Sequence, residues 1–363
     1  RWHSCCLKRR PAYAISACVV CSEMCVGDRS NMSTYAAINL VKRPVPGPVG
    51  PDTFEVVKKD MPDVGTGQFL VKQTHMSLDP AMIGWMSSDT KSYIPPVAIG
   101  DVMRSSGIGE IVESHHPDFN VGERVMGMMG WTEYFVSEGP GLNKVQEGLD
   151  PSMVLSVFAL PGITAMQGLY GVAKPKAGET IVVSGAAGSV GSIVGQLAKA
   201  DGLTVVGVAG NDEKCNWLVD ELGFDGAINY KTDDIAAKLA ELAPNGVDIY
   251  FENTGGAILN HIFEAMNAHG RIAVCGMIAD YSSETPSAGP NWIPIIKKRL
   301  SIQGFTMPDH YAEIPGLIAK LTPYVMQGKI KHRAHTLDGL GSSIDGLNLL
   351  LTGGNNGKLI VKL

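Results

Sequence analysis

Gly185, Gly188 and Gly191 stand three residues apart in "VSGAAGSVGS", between the apolar run "TIVV" and an apolar pattern at helical spacing. Glycine is what a strand-to-helix turn needs where the backbone approaches a diphosphate and where the helix packs closely on the strand. The free N–H groups and dipole of the helix N-terminus then hold the anion. The spacing is GxxGxxG and departs from the GxGxxG fingerprint, so the triplet alone also fits a merely tight turn. Placed after the first strand of an alternating β/α series, it predicts a dinucleotide site.

The end of the second strand of that series, residues 205–210, bears on which dinucleotide binds. An NAD site carries an acid about 20 residues past the glycines. Asp212 falls near that distance, but after the turn at Gly210 and Asn211, where Asn211 can cap a helix and Asp212 and Glu213 suit its first turn. Lys214 follows at once and is placed to meet a 2′-phosphate, which points to NADP.

No metal is predicted. Cys5, Cys6, Cys18, Cys21 and Cys25 crowd the opening segment, and only Cys215 and Cys275 occupy the remainder. The CxxC of Cys18 and Cys21 has no second pair and no nearby histidine pair to complete four ligands. His75, His115 and His116 have no cysteine partners.

The elements that must position these residues follow from the hydrophobic pattern. From residue 33 to about 155, short β-like runs such as "FLVKQTHMSL", "GIGEIVES" and "ERVMGMMGWTEYFVS" alternate with Pro and Gly, which reads as a mostly antiparallel, partly barrel-like β domain. After the helical stretch "ALPGITAMQGLYGV", five apolar strands alternate with helices: "TIVVSG", "TVVGVAG", "GAINYK", "VDIYFENTGG" and "GRIAVCGMI". That order predicts an α/β unit with a doubly wound parallel sheet, covered on both faces, with right-handed crossovers. A sixth strand, "LSIQGFTM", belongs at its edge, and the terminal strand "GKLIVKL" belongs back in the first domain.

At 363 residues, two domains sharing one cleft are expected. The boundaries read as a β domain over 32–155 completed by 324–363, and a dinucleotide-binding domain over 156–323. Residues 1–31 read as an extension outside the fold. They carry Lys8, Arg9 and Arg10 before a short apolar stretch, yet no clear small-residue cleavage site. A reducing, cytoplasmic setting is expected for the rest. The formal charge of −6, with no basic stripe, argues against a nucleic-acid surface. No apolar run is read as approaching the ~20 residues of a membrane span.

Together, "LPGITAMQGL", "VSGAAGSVGS", "GNDEK" followed by "NYK", "ENTGG", "CGMIADY" and "GNNGKLIVKL" resemble the zinc-free branch of the medium-chain dehydrogenase/reductase superfamily. More closely, they are similar to its alkenal and enone double-bond reductases, the family of prostaglandin reductases, plant double-bond reductases and bacterial curcumin reductases. The resemblance runs from Met32 to Leu363, in order. It implies a GroES-like β-barrel catalytic domain beside a Rossmann domain, NADPH as cofactor, and commonly a homodimer. By motif it implies Thr164 close to the cofactor, Lys214 and Tyr230 at the 2′-phosphate, and Asn253 or Thr254 on the nicotinamide side. It also implies Asn355 reaching the cofactor from the catalytic domain, although Asn355 also suits a turn before the last strand.

Zinc alcohol dehydrogenases of the superfamily need a catalytic Cys and a Gly-His-Glu element in the β domain. Here "IGDVMRSSGIGEI" lacks His-Glu, and no cysteine lies between Met32 and Cys215. Without a Lewis acid, the expected chemistry is conjugate reduction of an enone or enal: hydride reaches the β-carbon, and the resulting enolate oxygen needs hydrogen-bond donors. Tyr281, just after the fifth strand, is the candidate catalytic residue, donating to that oxygen or protonating the α-carbon; the alternative is an exposed loop tyrosine.

Family members often carry Tyr after Asp-Pro, then an arginine, where this chain has Ala81, Ile83 and Trp85. A wider, more apolar pocket is therefore expected, with Trp85, Tyr93, Met103 and Trp131 as candidate walls. Two other functions stay open: a quinone oxidoreductase, and a non-catalytic NADPH-binding protein.

Overall fold

In the computed structural model, which describes residues 34–363, the run "TIVV" forms the strand Thr180–Val183 at the centre of a six-stranded sheet. Every residue of that strand is buried. Its side chains alternate, so that Ile181 and Val183 enter one core and Val182 the opposite one. An apolar run feeding both faces is what a parallel sheet covered by helices on each side requires.

The strands lie in the order Gly226–Asn229, Thr204–Ala209, Thr180–Val183, Val247–Glu252, Met266–Val274 and Ser301–Gly304, all parallel. The order reverses on either side of Thr180–Val183, which opens a crevice at the carboxyl ends of the strands. The expected edge strand is indeed at the edge, and all four of its residues are exposed. One boundary differs from the sequence reading. The fifth strand begins at Met266, directly after the helix Gly256–Ala265, rather than at Gly270.

The second unit is a seven-stranded, mostly antiparallel sheet. The run "ERVMGMMGWTEYFVS" is two strands, Arg124–Met128 and Tyr134–Ser137, because the chain turns at Gly130 with φ +87°. Strand Phe69–Ser77 is shared along one edge: Tyr134–Ser137 pairs with its first half and the terminal strand Lys358–Lys362 with its second. The C-terminal strand thus returns to the first sheet. A separate pair, Thr34–Leu40 with Phe54–Asp60, closes over Trp131.

The helical path Pro151–Ala173 corrects one expectation. At 23 residues it is long and apolar enough, by length and composition, to cross a membrane. Within the fold 72% of its most apolar window is buried, against the sheet and the helix Ser189–Ala200, as a core helix. The cysteines at positions 5, 6, 18, 21 and 25, and the extension itself, lie outside the described residues.

Candidate functional site

A cleft of about 510 Å³ runs between the two sheets and is lined from both. Its floor begins with the glycine turn. Gly185 adopts φ +56°, and a Cβ at Gly191 would come within 2.5 Å of the Gly185 carbonyl, so the helix Ser189–Ala200 can start only against glycine. Gly188 is its N-cap residue, and no side chain caps that end. The first-turn N–H groups lie where Gly188, Ser189, Val190 and Gly191 line the cleft. An uncapped helix N-terminus at a crevice is a diphosphate cradle.

Lys214, Tyr230 and Lys231, which all line the cleft, come together beside Gly210. Asn211 caps the helix Asp212–Asn216, accepting from the Lys214 N–H at 2.8 Å, and Asp212 accepts from Asn229 at 2.7 Å. Asn211 therefore does the helix-capping work the sequence suggests, while Asp212 in the first turn is committed to Asn229 of the third strand. Gly210 stands where an acid would select NAD, and a Cβ there would touch the Tyr230 ring at 3.2 Å. Lys214 Nζ donates to the Gly353 carbonyl at 2.7 Å. Burial, and then the neighbouring Lys231, lower its pKa below the ordinary lysine value. Two cations, one after the second strand and one after the third, suit a 2′-phosphate. Lys231 escaped the sequence reading as a cation, although it is the last residue of the quoted "NYK".

The middle of the cleft is organised by a residue that sequence reasoning did not single out. Glu252, fully buried at the end of strand Val247–Glu252, accepts through Oε1 from Ser184 Oγ (2.7 Å), Thr254 N–H (2.6 Å) and Gly255 N–H (2.9 Å). Asn253 donates to the Ser184 carbonyl at 2.7 Å. One carboxylate thus ties the glycine turn of the first strand to the Asn253 and Thr254 turn of the fourth, and both of these residues line the cleft. The available signal was a charge ending the apolar run "VDIYFE". Thr164 also lines the cleft, its hydroxyl donating to the Leu160 carbonyl at 2.6 Å. From the other sheet comes Asn355, which lines the cleft while bracing the Gly357 carbonyl at 2.7 Å, so it serves the turn as well.

Tyr281 ends the short helix Ile278–Tyr281 after the fifth strand and faces the cleft, with 39% of its surface exposed. Its hydroxyl accepts from the Met277 N–H at 3.2 Å. No acceptor for its own proton is found among the described residues, so the O–H is free to donate into the cleft. Burial raises its pKa above the ordinary tyrosine value, which keeps it a donor.

The predicted walls divide. Trp85 and Tyr93 line the cleft, as does Ala81. Met103 and Trp131 do not: both are wholly buried in the core beneath, where Trp131 stacks on Phe54 at 4.9 Å. Each falls in a hydrogen-bonded bridge between the small sheet and its neighbours, which turns the side chain inward. Ile83 likewise packs against that core rather than lining the cleft. Among the described residues, no group of three or more His, Cys, Asp or Glu converges as a metal site.

The comparisons with known proteins agree with this geometry. Residues 36–145 match the family model described as the N-terminal domain of oxidoreductase, and residues 189–322 the model described as zinc-binding dehydrogenase. The chain is 39% identical over 331 residues to the NADPH-dependent curcumin reductase of Escherichia coli, covering 89% of this chain and 95% of that protein. It is 38% identical over 308 residues to the NADP-dependent 2-alkenal reductase of Nicotiana tabacum, covering 84% and 90%. The crystal structure of CurA from Vibrio vulnificus in complex with NADPH is similar with a TM-score of 0.85 at 39% identity, covering 90% of this chain and 98% of that one.

Proposed function

The chain belongs to the zinc-free branch of the medium-chain dehydrogenase/reductase superfamily, among the enone and alkenal reductases, and is an NADPH-dependent reductase; from that premise we propose that it reduces the C=C bond of α,β-unsaturated ketones and aldehydes. The observation that carries this reading is the uncommitted O–H of Tyr281, which shares one cleft with the glycine turn and the Lys214 cluster. NADPH, when bound, supplies hydride to the β-carbon. Tyr281 donates to the carbonyl oxygen and strengthens that bond as negative charge develops there, and the enolate then takes up a proton at its α-carbon from Tyr281 or from water. Glu252 holds the turns on either side of the reacting end at fixed spacing. The apolar faces of Trp85 and Tyr93 cover the substrate and exclude water.

The test is NADPH consumption with enals, enones, quinones and simple ketones. Turnover of enals and enones, with simple ketones inert, supports the reading. Consumption only with quinones, or with nothing in the panel despite tight NADPH binding, overturns it.

The same reading includes a homodimer and a reducing, cytoplasmic setting. The exposed edge strand Ser301–Gly304, with Ile302 39% exposed, supports pairing with a second copy. Among the described residues Cys215 and Cys275 are free thiols, as a reducing compartment allows. Sedimentation equilibrium tests the first, and fractionation of the source cells the second.

A further inference from the structure

Arg104 lies half-buried beside the cleft. Its guanidinium sits over the Trp85 ring at 5.6 Å, and one N–H donates to the Pro95 carbonyl at 3.0 Å. Among the described residues it forms no ion pair. A guanidinium has five N–H donors, so a neutral carbonyl and an aromatic face leave most of its capacity unused. Burial disfavours its charge, a cost that Tyr311 and Tyr93 partly oppose. Asp101 borders the same surface depression as Arg104 but is exposed and beyond ion-pair distance.

The surroundings connect this cation to the substrate end of the cleft. Trp85, Tyr93 and Tyr311 all line the cleft, and Met128 lines both the cleft and the depression holding Arg104. Tyr93 and Tyr311 are 53% and 57% exposed, which puts two phenols at the mouth. Ala81, Ile94 and Met128, all apolar, line the same cleft. Lys214 and Lys231 follow the second and third strands of the parallel sheet, in the cluster beside Gly210 and Tyr230. Arg104 is thus a cation apart from the Lys214 cluster, joined to the cleft through Trp85 and Met128.

We propose that Arg104 is a specificity-determining residue that receives a carboxylate on the far end of the substrate, so that the preferred substrates are enones or enals with an apolar chain ending in an anion. This rests on the reduction reading above for the reacting end, but the anion site stands on its own contacts. A carboxylate meets a guanidinium through two parallel hydrogen bonds, and a partly buried cation gains more from that pair than an exposed one. The Trp85 ring, 5.6 Å away, holds the guanidinium by a cation–π contact.

The experiment compares 9-oxodec-7-enoate with its methyl ester, on the wild-type chain and on Arg104→Gln and Arg104→Lys. Both kcat/KM and calorimetric binding to the NADP⁺-loaded protein are measured. The wild type should prefer the acid by about tenfold or more, mainly through KM, with the preference shrinking as salt is added. Arg104→Gln should erase the preference, and Arg104→Lys should restore part of it. Equal handling of acid and ester by the wild type, or a preference that survives in Arg104→Gln, overturns the proposal even if both compounds are reduced. If neither is reduced yet the acid binds more tightly in an Arg104-dependent way, the anion site stands and the reduction reading falls.

Discussion

The Tyr281 hydroxyl rests against Gly276: a Cβ on that glycine would lie 3.0 Å from the phenol oxygen. The missing side chain leaves room for the hydroxyl to accept the Met277 N–H and still aim its proton at the cleft. Catalytic placement of the phenol thus depends on a glycine five residues earlier in the chain.

Tyr281→Phe removes that donor while keeping the ring. We expect kcat to fall on the order of 10²-fold with NADPH affinity nearly unchanged, measured at saturating NADPH with a good enone. Gly276→Ala should lower kcat in the same direction by displacing the hydroxyl. Because burial raises the Tyr281 pKa, the phenol stays protonated past the ordinary tyrosine range, and kcat should show no alkaline loss from this group below about pH 10. Full activity in the Phe variant would move the donor elsewhere, with Tyr93 the next residue to test.

Lys214→Ala should weaken NADPH by roughly tenfold to a hundredfold and NADH much less, because only NADPH carries charge at the 2′-position. Lys231→Ala should act in the same direction. The lowered Lys214 pKa adds a pH signature. A depressed lysine loses its charge at lower pH than usual, so the NADPH preference should decay on the alkaline side before an unperturbed lysine would titrate. It should also fall below about pH 6, where a phosphate monoester takes up its second proton. Cofactor affinities measured across pH check both limits.

Lys358 and Asp79 form a buried ion pair at 2.6 Å, and Lys358 also donates to the Leu78 carbonyl at 2.8 Å. The pair joins the cleft-lining segment at Asp79, Pro80 and Ala81 to the terminal strand that follows Asn355. Lys358→Met leaves a buried carboxylate uncompensated and should cost about 3–5 kcal/mol in denaturant unfolding. Adding Asp79→Leu should recover a large part of that loss, since an apolar pair replaces a lone charge. Additive losses in the double variant would show that the two groups are not coupled.

Activity should survive dialysis against a strong chelator, because the described residues bring no donor set together around the cleft. Elemental analysis of the purified protein should find no stoichiometric zinc. Activity lost to the chelator and restored by zinc would overturn the zinc-independent mechanism.

The dinucleotide half was legible in the chain because its signals are local. A glycine triplet three residues apart, apolar runs of strand length and helix caps each act within a few residues, so Gly185, Gly191 and Asn211 announce the turn, the close approach and the helix start in order. Glu252 and Lys231 were harder to assign. A carboxylate gathering Ser184, Thr254 and Gly255, and a second cation beside Lys214, take their meaning from strands that meet only in the folded sheet.

The substrate walls were the least legible for the same reason. Trp85 and Trp131 are the same residue type and belong to one core cluster, yet one also lines the cleft and the other is sealed beneath the pair of strands closing over it. Sequence by itself determined the periodicities, the turns and the chemistry of the cofactor end, because these follow from backbone sterics and short-range hydrogen bonding. Tertiary structure alone decided which aromatic faces substrate, which carboxylate joins two strand ends, and where Arg104 finds Trp85. Those relationships connect residues distant in the chain, and packing, rather than local preference, chooses between the cleft and the core.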